Sequence, residues 1–339
     1  MTDPNPFVGR RTRVLSAGDV RSLIDMAKTL EVQRAAFTAL AGGHVTTAPN
    51  SWLRLPEQQR RRGWLKLLAG HDASSHALGV KVLARFADNP PGANLGSLVV
   101  LFDDDNGFPL AIMDGVAITA LRTGAGAGLA TDVLAAPDAA TLGVVGTGVV
   151  AWHSLHAVML VRPSVRHVRV FSRSSDRRQA FAKRATAEFD VNAVPVESVG
   201  DAVAGAEVII TATNAPAPVL RWEHVEAGQH INAMGIKTEI DPSVLADVWV
   251  IPDGVDEAVD DGKFSTAIRA ESAGRDDLGP QLGALLRDGS RRHDPSRVSL
   301  FDSSGVAVQD VAMARRLWEL AERHAFGAEI DLGLGHDEW

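Results

Sequence analysis

TLGVVGTGVVA, residues 141–151, is a short apolar run that stops at a glycine and restarts as an apolar stretch of helical period reaching Leu160. A glycine pattern placed directly between a strand and a helix is the fingerprint of a dinucleotide-binding turn. In that reading Gly146 makes the tight turn, Gly148 lets the backbone approach a pyrophosphate, and Ala151 allows close packing of helix on strand. Thr147, Val149 and Val150 complete the turn and the start of the helix, whose first N–H groups face the phosphates. A glycine-rich turn without a ligand has the same local pattern, so the flanking strand and helix are what favour the nucleotide.

Downstream the pattern repeats. VRVF (168–171), NAVPV (192–196), EVIITAT (207–213), HINAMG (230–235) and VWVI (248–251) are short apolar runs separated by helical segments. Such alternation predicts an α/β fold, a Rossmann-type parallel sheet covered on both faces. Where an NAD site places an acid on the ribose, beyond the second strand, this chain reads Ser172, Arg173, Ser174. A guanidinium and two hydroxyls suit a 2′-phosphate, so NADP(H) is expected, with NAD(H) as the alternative. Arg173 otherwise starts a solvated loop with Arg177 and Arg178, and Asp176 is the acid if the strand runs longer. Thr211, Ala212, Thr213 and Met234 end later strands, on the carboxyl edge where ligands bind; the threonines read equally well as a polar turn before Pro216 and Pro218.

Upstream, GVKVLARFA (79–87), SLVVLFD (97–103) and FPLAIMD (108–114) read as strands, the last two joined through Asn106-Gly107. This half is a mixed, more antiparallel α+β unit. A helix from Ile118 to Leu134 leads out of it, and a final helix over 307–324 carries enough apolar residues at helical spacing to pack back on it. The chain of 339 residues has room for two such units.

Composition narrows the chemistry. The net charge of −8, from 34 basic and 42 acidic residues, lacks the basic footprint of a nucleic-acid binder. No apolar run is long enough to span a bilayer and the first residues have no signal-peptide pattern, so a cytoplasmic protein is expected. Cysteine and tyrosine are absent, which removes thiolate chemistry and Tyr–Lys proton donation and leaves Lys, His or a carboxylate as acid or base. His153 and His156 have helical spacing but no third ligand nearby, so no metal is expected, and the Arg60–Arg62 run reads as a solvated turn.

With VLSAGDVRSLI (14–24), GVKV (79–82), LFDDDNGFPLAIMDG (101–115), ITALRTGA (118–125), GTGVVA (146–151) and FDSSGVAVQDVA (301–312), the chain resembles the ornithine cyclodeaminase and mu-crystallin family over nearly its whole length. The resemblance implies a homodimer with a substrate and dimerisation domain, residues 1–125 plus 306–339, into which a Rossmann domain, 126–305, is inserted. It implies Arg122 as a carboxylate-binding arginine, Lys81 as the active-site lysine, and Arg54 as a second carboxylate clamp in a departing PNSWLRLP context. Ser304 and Gly305 fall toward the nicotinamide, and Asp310 caps or orients.

Two departures set the expected activity. The cyclodeaminases' catalytic aspartate has no counterpart in IKTEID (236–241), where Glu239 and Asp241 are the acids, and Asp241-Pro242 reads as a helix start. Their acid on the strand before the lysine is also missing from GWLKLLAGHD (63–72), where Asp72 sits by the turn. The expectation is an NADPH-dependent reductase of a small α-imino acid, or the reverse amino-acid dehydrogenase. The alternatives are an ammonia-lyase using bound NAD and a crystallin-like binding protein without turnover.

Overall fold

The computed structural model of the chain describes residues 5–56, 63–90 and 92–334; the Arg60–Arg62 run lies outside them. The chain divides into one unit of Met1–Thr119 with Ala307–Trp339 and a second of Ala120–Val306. In chain order the first unit contributes β1 (Thr12–Leu15), α1 (Ala17–Leu23), α2 (Met26–Ala41), β2 (Val45–Thr47), β3 (Ser51–Arg54), β4 (Gly63–Asp72), β5 (Ala77–Phe86), β6 (Leu95–Phe102) and β7 (Pro109–Asp114). Then α3 (Gly115–Leu134) crosses into the second unit. That unit holds β8 (Thr141–Val145), α4 (Val149–Val161), β9 (His167–Phe171), α5 (Ser175–Phe189), β10 (Asn192–Pro195), α6 (Val199–Val203), β11 (Val208–Thr211) and β12 (His230–Ala233). It continues through α7 (Pro242–Asp247), β13 (Trp249–Pro252), α8 (Val255–Asp260), α9 (Phe264–Arg269), α10 (Leu282–Asp288) and β14 (Ser299–Asp302). The chain returns to the first unit with α11 (Ala307–His324) and β15 (Ala328–Ile330).

In the second unit seven strands run in the order β10-β9-β8-β11-β12-β14-β13, every pairing parallel. Val144, Ile209, Ile231 and Leu300 are fully buried, which explains why these strands read as apolar runs rather than alternations. The order reverses between β8 and β11, and this leaves a crevice at the carboxyl ends of the strands. β14 slots between β12 and β13 out of sequence order, which no local pattern foretells.

The first unit's eight strands form a mixed sheet in the order β15-β1-β7-β6-β5-β4-β2, with β3 also on β4. Register fixes its two faces. Leu68, Lys81, Val99, Met113 and Leu15 lie across neighbouring strands on one face, which α11 covers over β4 and β5. Gly70 and Gly79 face each other there because α11 comes close: a Cβ at Gly70 would stand 3.0 Å from Ala307 Cβ. On the opposite face Leu67 and Leu98 are exposed, Leu98 by 52%. α2, which no motif marks, buries Thr29 and Gln33 among its apolar residues, and these two polar positions dilute its periodicity.

The division between units falls after Thr119, inside α3. One unbroken helix offers no turn to mark the boundary. No helix among the described residues is long and apolar enough to cross a membrane.

Candidate active site

The second unit builds its site from the β8 turn upward. Gly146 has φ +115°, and a Cβ there would stand 2.4 Å from the Ala212 carbonyl oxygen, so only glycine fits where β8 and β11 end side by side. Gly148 is the N-cap of α4 with extended backbone and no side-chain cap, and a Cβ on it would meet nothing within 4 Å. Val149, the first helical residue, is 55% exposed. A helix start with open space above a glycine fits a pyrophosphate.

Beside it, β9 ends at Phe171, so Asp176 belongs to the first turn of α5 and does not end the strand. Ser174 is the N-cap of α5 and accepts from the Arg177 N–H at 3.3 Å, while the Ser172 hydroxyl accepts from the Ser174 N–H at 3.4 Å. Arg173 and Arg177 are exposed. Arg178 is buried, donating to the Ser172 carbonyl at 3.1 Å and pairing with Glu197, so it shapes the loop rather than belonging to a solvated one.

Glu239 ties the ends of β11 and β12 together. Its buried carboxylate accepts from the Thr211 hydroxyl (2.9 Å), the Thr213 N–H (2.8 Å) and hydroxyl (3.0 Å), and the Gly235 N–H (2.7 Å). Burial pushes this carboxyl above the ordinary range, while the Lys263 charge and the N–H donors hold it down. The hydroxyls of Thr211 and Thr213 are therefore turned inward, and Met234 beside them is buried. Asp241 caps α7 through the Ser243 N–H at 3.0 Å, so both acids of IKTEID serve the fold.

Residues 302–305 are pinned by a buried set that the sequence did not single out. Asp302 accepts from the Phe264 N–H at 2.9 Å, and Lys263 Nζ donates to the Ser303 carbonyl at 3.0 Å. Ser304 Oγ lies 3.3 Å from Asp302. Asp253, at the end of β13, accepts from the Gly305 N–H at 2.7 Å. Burial pushes the Asp253 carboxyl up to about 7; the Gly305 N–H pulls it down, and the neighbouring Asp302 and Glu257 charges add to the rise. Asp253 follows β13 and Asp302 ends β14, and no spacing pattern marks them.

Gly305 has φ +87°, and a Cβ on it would lie 3.1 Å from the Arg122 guanidinium, which is 6% exposed on α3. α3 begins at Gly115, so Arg122 lies past the first turn, where the helix dipole contributes little. His153 and His156 sit on the packed side of α4: Gly124 approaches the His153 backbone, and the His156 ring lies 5.4 Å from Phe189.

In the first unit, Lys81 Nζ donates to Asp310 Oδ2 at 2.6 Å, with side chains 3% and 0% exposed. Asp310 comes from the first turn of α11. Arg54 is exposed on β3, its guanidinium 5.1 Å from the Trp52 ring. Lys66, missed in the sequence, is buried on β4 with its ammonium 4.6 Å from the same ring.

Fold and site together define a two-unit α/β protein with an NAD(P)-binding Rossmann-type sheet. The profile of the ornithine cyclodeaminase/mu-crystallin family matches residues 10–324, and the chain belongs to that family. The chain is 30% identical to the iminosuccinate reductase of Paracoccus denitrificans over 319 residues, 89% of this chain and 97% of that one. The structure of Thermococcus litoralis Delta(1)-pyrroline-2-carboxylate reductase, in complex with NADH and L-proline, superposes with a TM-score of 0.88 at 26% identity, covering 94% of this chain and 100% of that one. An archaeal alanine dehydrogenase dimer with bound NAD gives 0.88 at 27% identity, covering 95% and 100%.

Proposed function

We propose that the chain is an NADPH-dependent reductase of a small α-imino acid, working in reverse as an amino-acid dehydrogenase. The observation that carries this reading is the buried Lys81–Asp310 pair, an ammonium held in one place by a carboxylate with almost no access to water. Reduction adds a hydride to the imine carbon and a proton to its nitrogen, and oxidises NAD(P)H. The bound dinucleotide supplies the hydride. Lys81 places positive charge and a proton at the imine nitrogen, and Arg122 takes the substrate carboxylate as a forked partner.

Gly146, Thr147, Gly148, Val149 and Val150 cradle the pyrophosphate, and Ser172, Arg173 and Ser174 take a 2′-phosphate in place of the acid that would hold a bare ribose. Thr211, Ala212, Thr213 and Met234 line the strand ends beside it through backbone and apolar contact, and Ser304 and Gly305 border the nicotinamide. The inward clamping of Glu239 and the capping role of Asp241 speak against a lyase that needs an acid in this loop.

The exposed apolar face of the first unit's sheet, with Leu67 and Leu98, is assigned to a second copy of the chain, as the alanine dehydrogenase dimer supports. The test is loss of reduced-nicotinamide absorbance with NADPH on cyclic imino acids and on 2-oxo acids in ammonia. Ammonia release from ornithine with NAD and no net cofactor change would overturn the reading.

A further inference from the structure

One carboxylate holds the turn that follows β14. Asp253, fully buried where β13 ends, accepts from the Gly305 N–H through Oδ2 at 2.7 Å and from the Gly254 N–H through Oδ1 at 2.9 Å, and the Ser304 N–H joins this set. β13 pairs with β14 so that Pro252 lies beside Asp302; the two strands end level, and the carboxylate reaches across to the turn. Gly305, left-handed at φ +87°, lies against the Arg122 guanidinium. A shift of this turn is therefore felt at Arg122.

The charged groups around Asp253 come from β14, α8, α9 and α3. Asp302 of β14 and Glu257 of α8 repel the carboxylate. Lys263, the N-cap of α9, offsets Asp302 at 3.5 Å and donates to the Ser303 carbonyl, and Arg122 of α3 lies beyond Gly305. Burial and the two acids favour the protonated form while the N–H donors favour the ionised one, and the balance puts this carboxyl at about 7. When ionised, both oxygens accept N–H bonds of the stronger, charge-assisted kind. When protonated, one oxygen becomes a hydroxyl, and the grip on the turn slackens.

Resting on the reading of Arg122 as the clamp for the substrate carboxylate, we infer that Asp253 is a positioning residue: through the Gly305 N–H it sets where that guanidinium stands, and so couples substrate affinity to its own ionisation. The ionised form binds the α-carboxylate tightly and the protonated form weakly. Direct repulsion between Asp253 and a substrate carboxylate would act in the opposite direction, so the sign of the pH dependence decides.

The test measures by calorimetry the binding of L-proline and L-alanine, whose carboxylates stay charged throughout, to protein loaded with oxidised cofactor between roughly pH 5.5 and 8.5. Wild-type affinity should rise roughly tenfold with pH, the worth of one charge-assisted bond. Asp253→Asn keeps the shape but sets an NH2 group against one of the N–H donors, and it should hold the weak, low-pH affinity at every pH. Glu257→Gln removes a repelling charge and should move the wild-type rise to lower pH. Binding of ADP-ribose, which lacks the nicotinamide, should be the same in all three proteins.

A wild-type affinity that is flat or falls with pH, or a rise that neither variant alters, overturns the inference while turnover of imino acids leaves the reductase reading standing. Asp253→Asn that loses ADP-ribose binding as well marks a structural role and overturns it too. Arg122→Met should abolish binding of both amino acids; unchanged affinity there refutes the clamp on which the inference rests. If neither amino acid binds the loaded wild type and no imino acid oxidises either reduced cofactor, the reductase reading and the inference fall together.

Discussion

Lys81 and Asp310, 229 residues apart in the chain, meet at 2.6 Å across the interface of β5 and α11 with side chains 3% and 0% exposed. Removing one member of a buried pair strands the other charge, at a cost of roughly 3–5 kcal/mol. Asp310→Leu and Lys81→Met should each lower stability by that order in denaturant titrations and abolish turnover. The double variant should regain most of the stability and none of the turnover. Recovery of activity in the double variant would mean the pair is structural only.

Gly305→Ala should raise KM for the carboxylate substrate more than it lowers kcat. The left-handed backbone costs an alanine roughly 1–2 kcal/mol, and the new methyl would press on the Arg122 guanidinium from 3.1 Å. Displacing a binding group by a fraction of an ångström is enough for roughly tenfold in KM. Steady-state kinetics across substrate concentration separates the two parameters, and an unchanged KM would remove Arg122 from the substrate.

Arg173→Ala should weaken NADPH binding by roughly tenfold or more, since it removes a charge-assisted bond to phosphate, and should leave NADH binding nearly unchanged. Fluorescence titration with both dinucleotides reads the difference directly. Equal losses for the two would place Arg173 away from the 2′-phosphate.

Asp253 predicts a pH dependence of opposite sign to that of Asp19, Asp103 and Asp104. Its carboxyl is raised from 3.8 to about 7, so between those values the folded protein holds a proton that the unfolded chain has released. This contribution to stability is fully present below pH 3.8 and is lost as pH rises toward 7. Asp19, Asp103 and Asp104 are lowered from 3.8 and act below that window, losing their contribution as pH falls. Denaturant titrations at pH values between those limits should show wild-type stability falling relative to Asp253→Asn as pH rises; a constant difference contradicts the assignment.

How much of this was legible follows from distance along the chain. The turn from β8 into α4 was plain because strand, glycines and helix are contiguous. The end of β9 at Phe171 was read from the same local run, but only the start of α5 at Ser175 excludes Asp176 as a later strand end. β14 was not, because four buried residues that follow the charged run RRHDPSR (291–297) carry no period and pair with strands from earlier in the chain. Asp253 and Lys263 find their partners 52 and 40 residues away, so no spacing announces them. Glu239 was noticed, yet only its four inward bonds decide that it fastens β11 to β12. Lys66 was hidden because only the register of three strands shows that it shares a face with Lys81.

The delivery of Asp310 by α11 also governs when the protein can become active during synthesis. A growing chain threads out the strand bearing Lys81 long before the helix that holds the matching carboxylate, 229 residues later, leaves the ribosome. Until then the lysine strand lacks its cover, so a chain cut before α11 would be unable to seat its lysine.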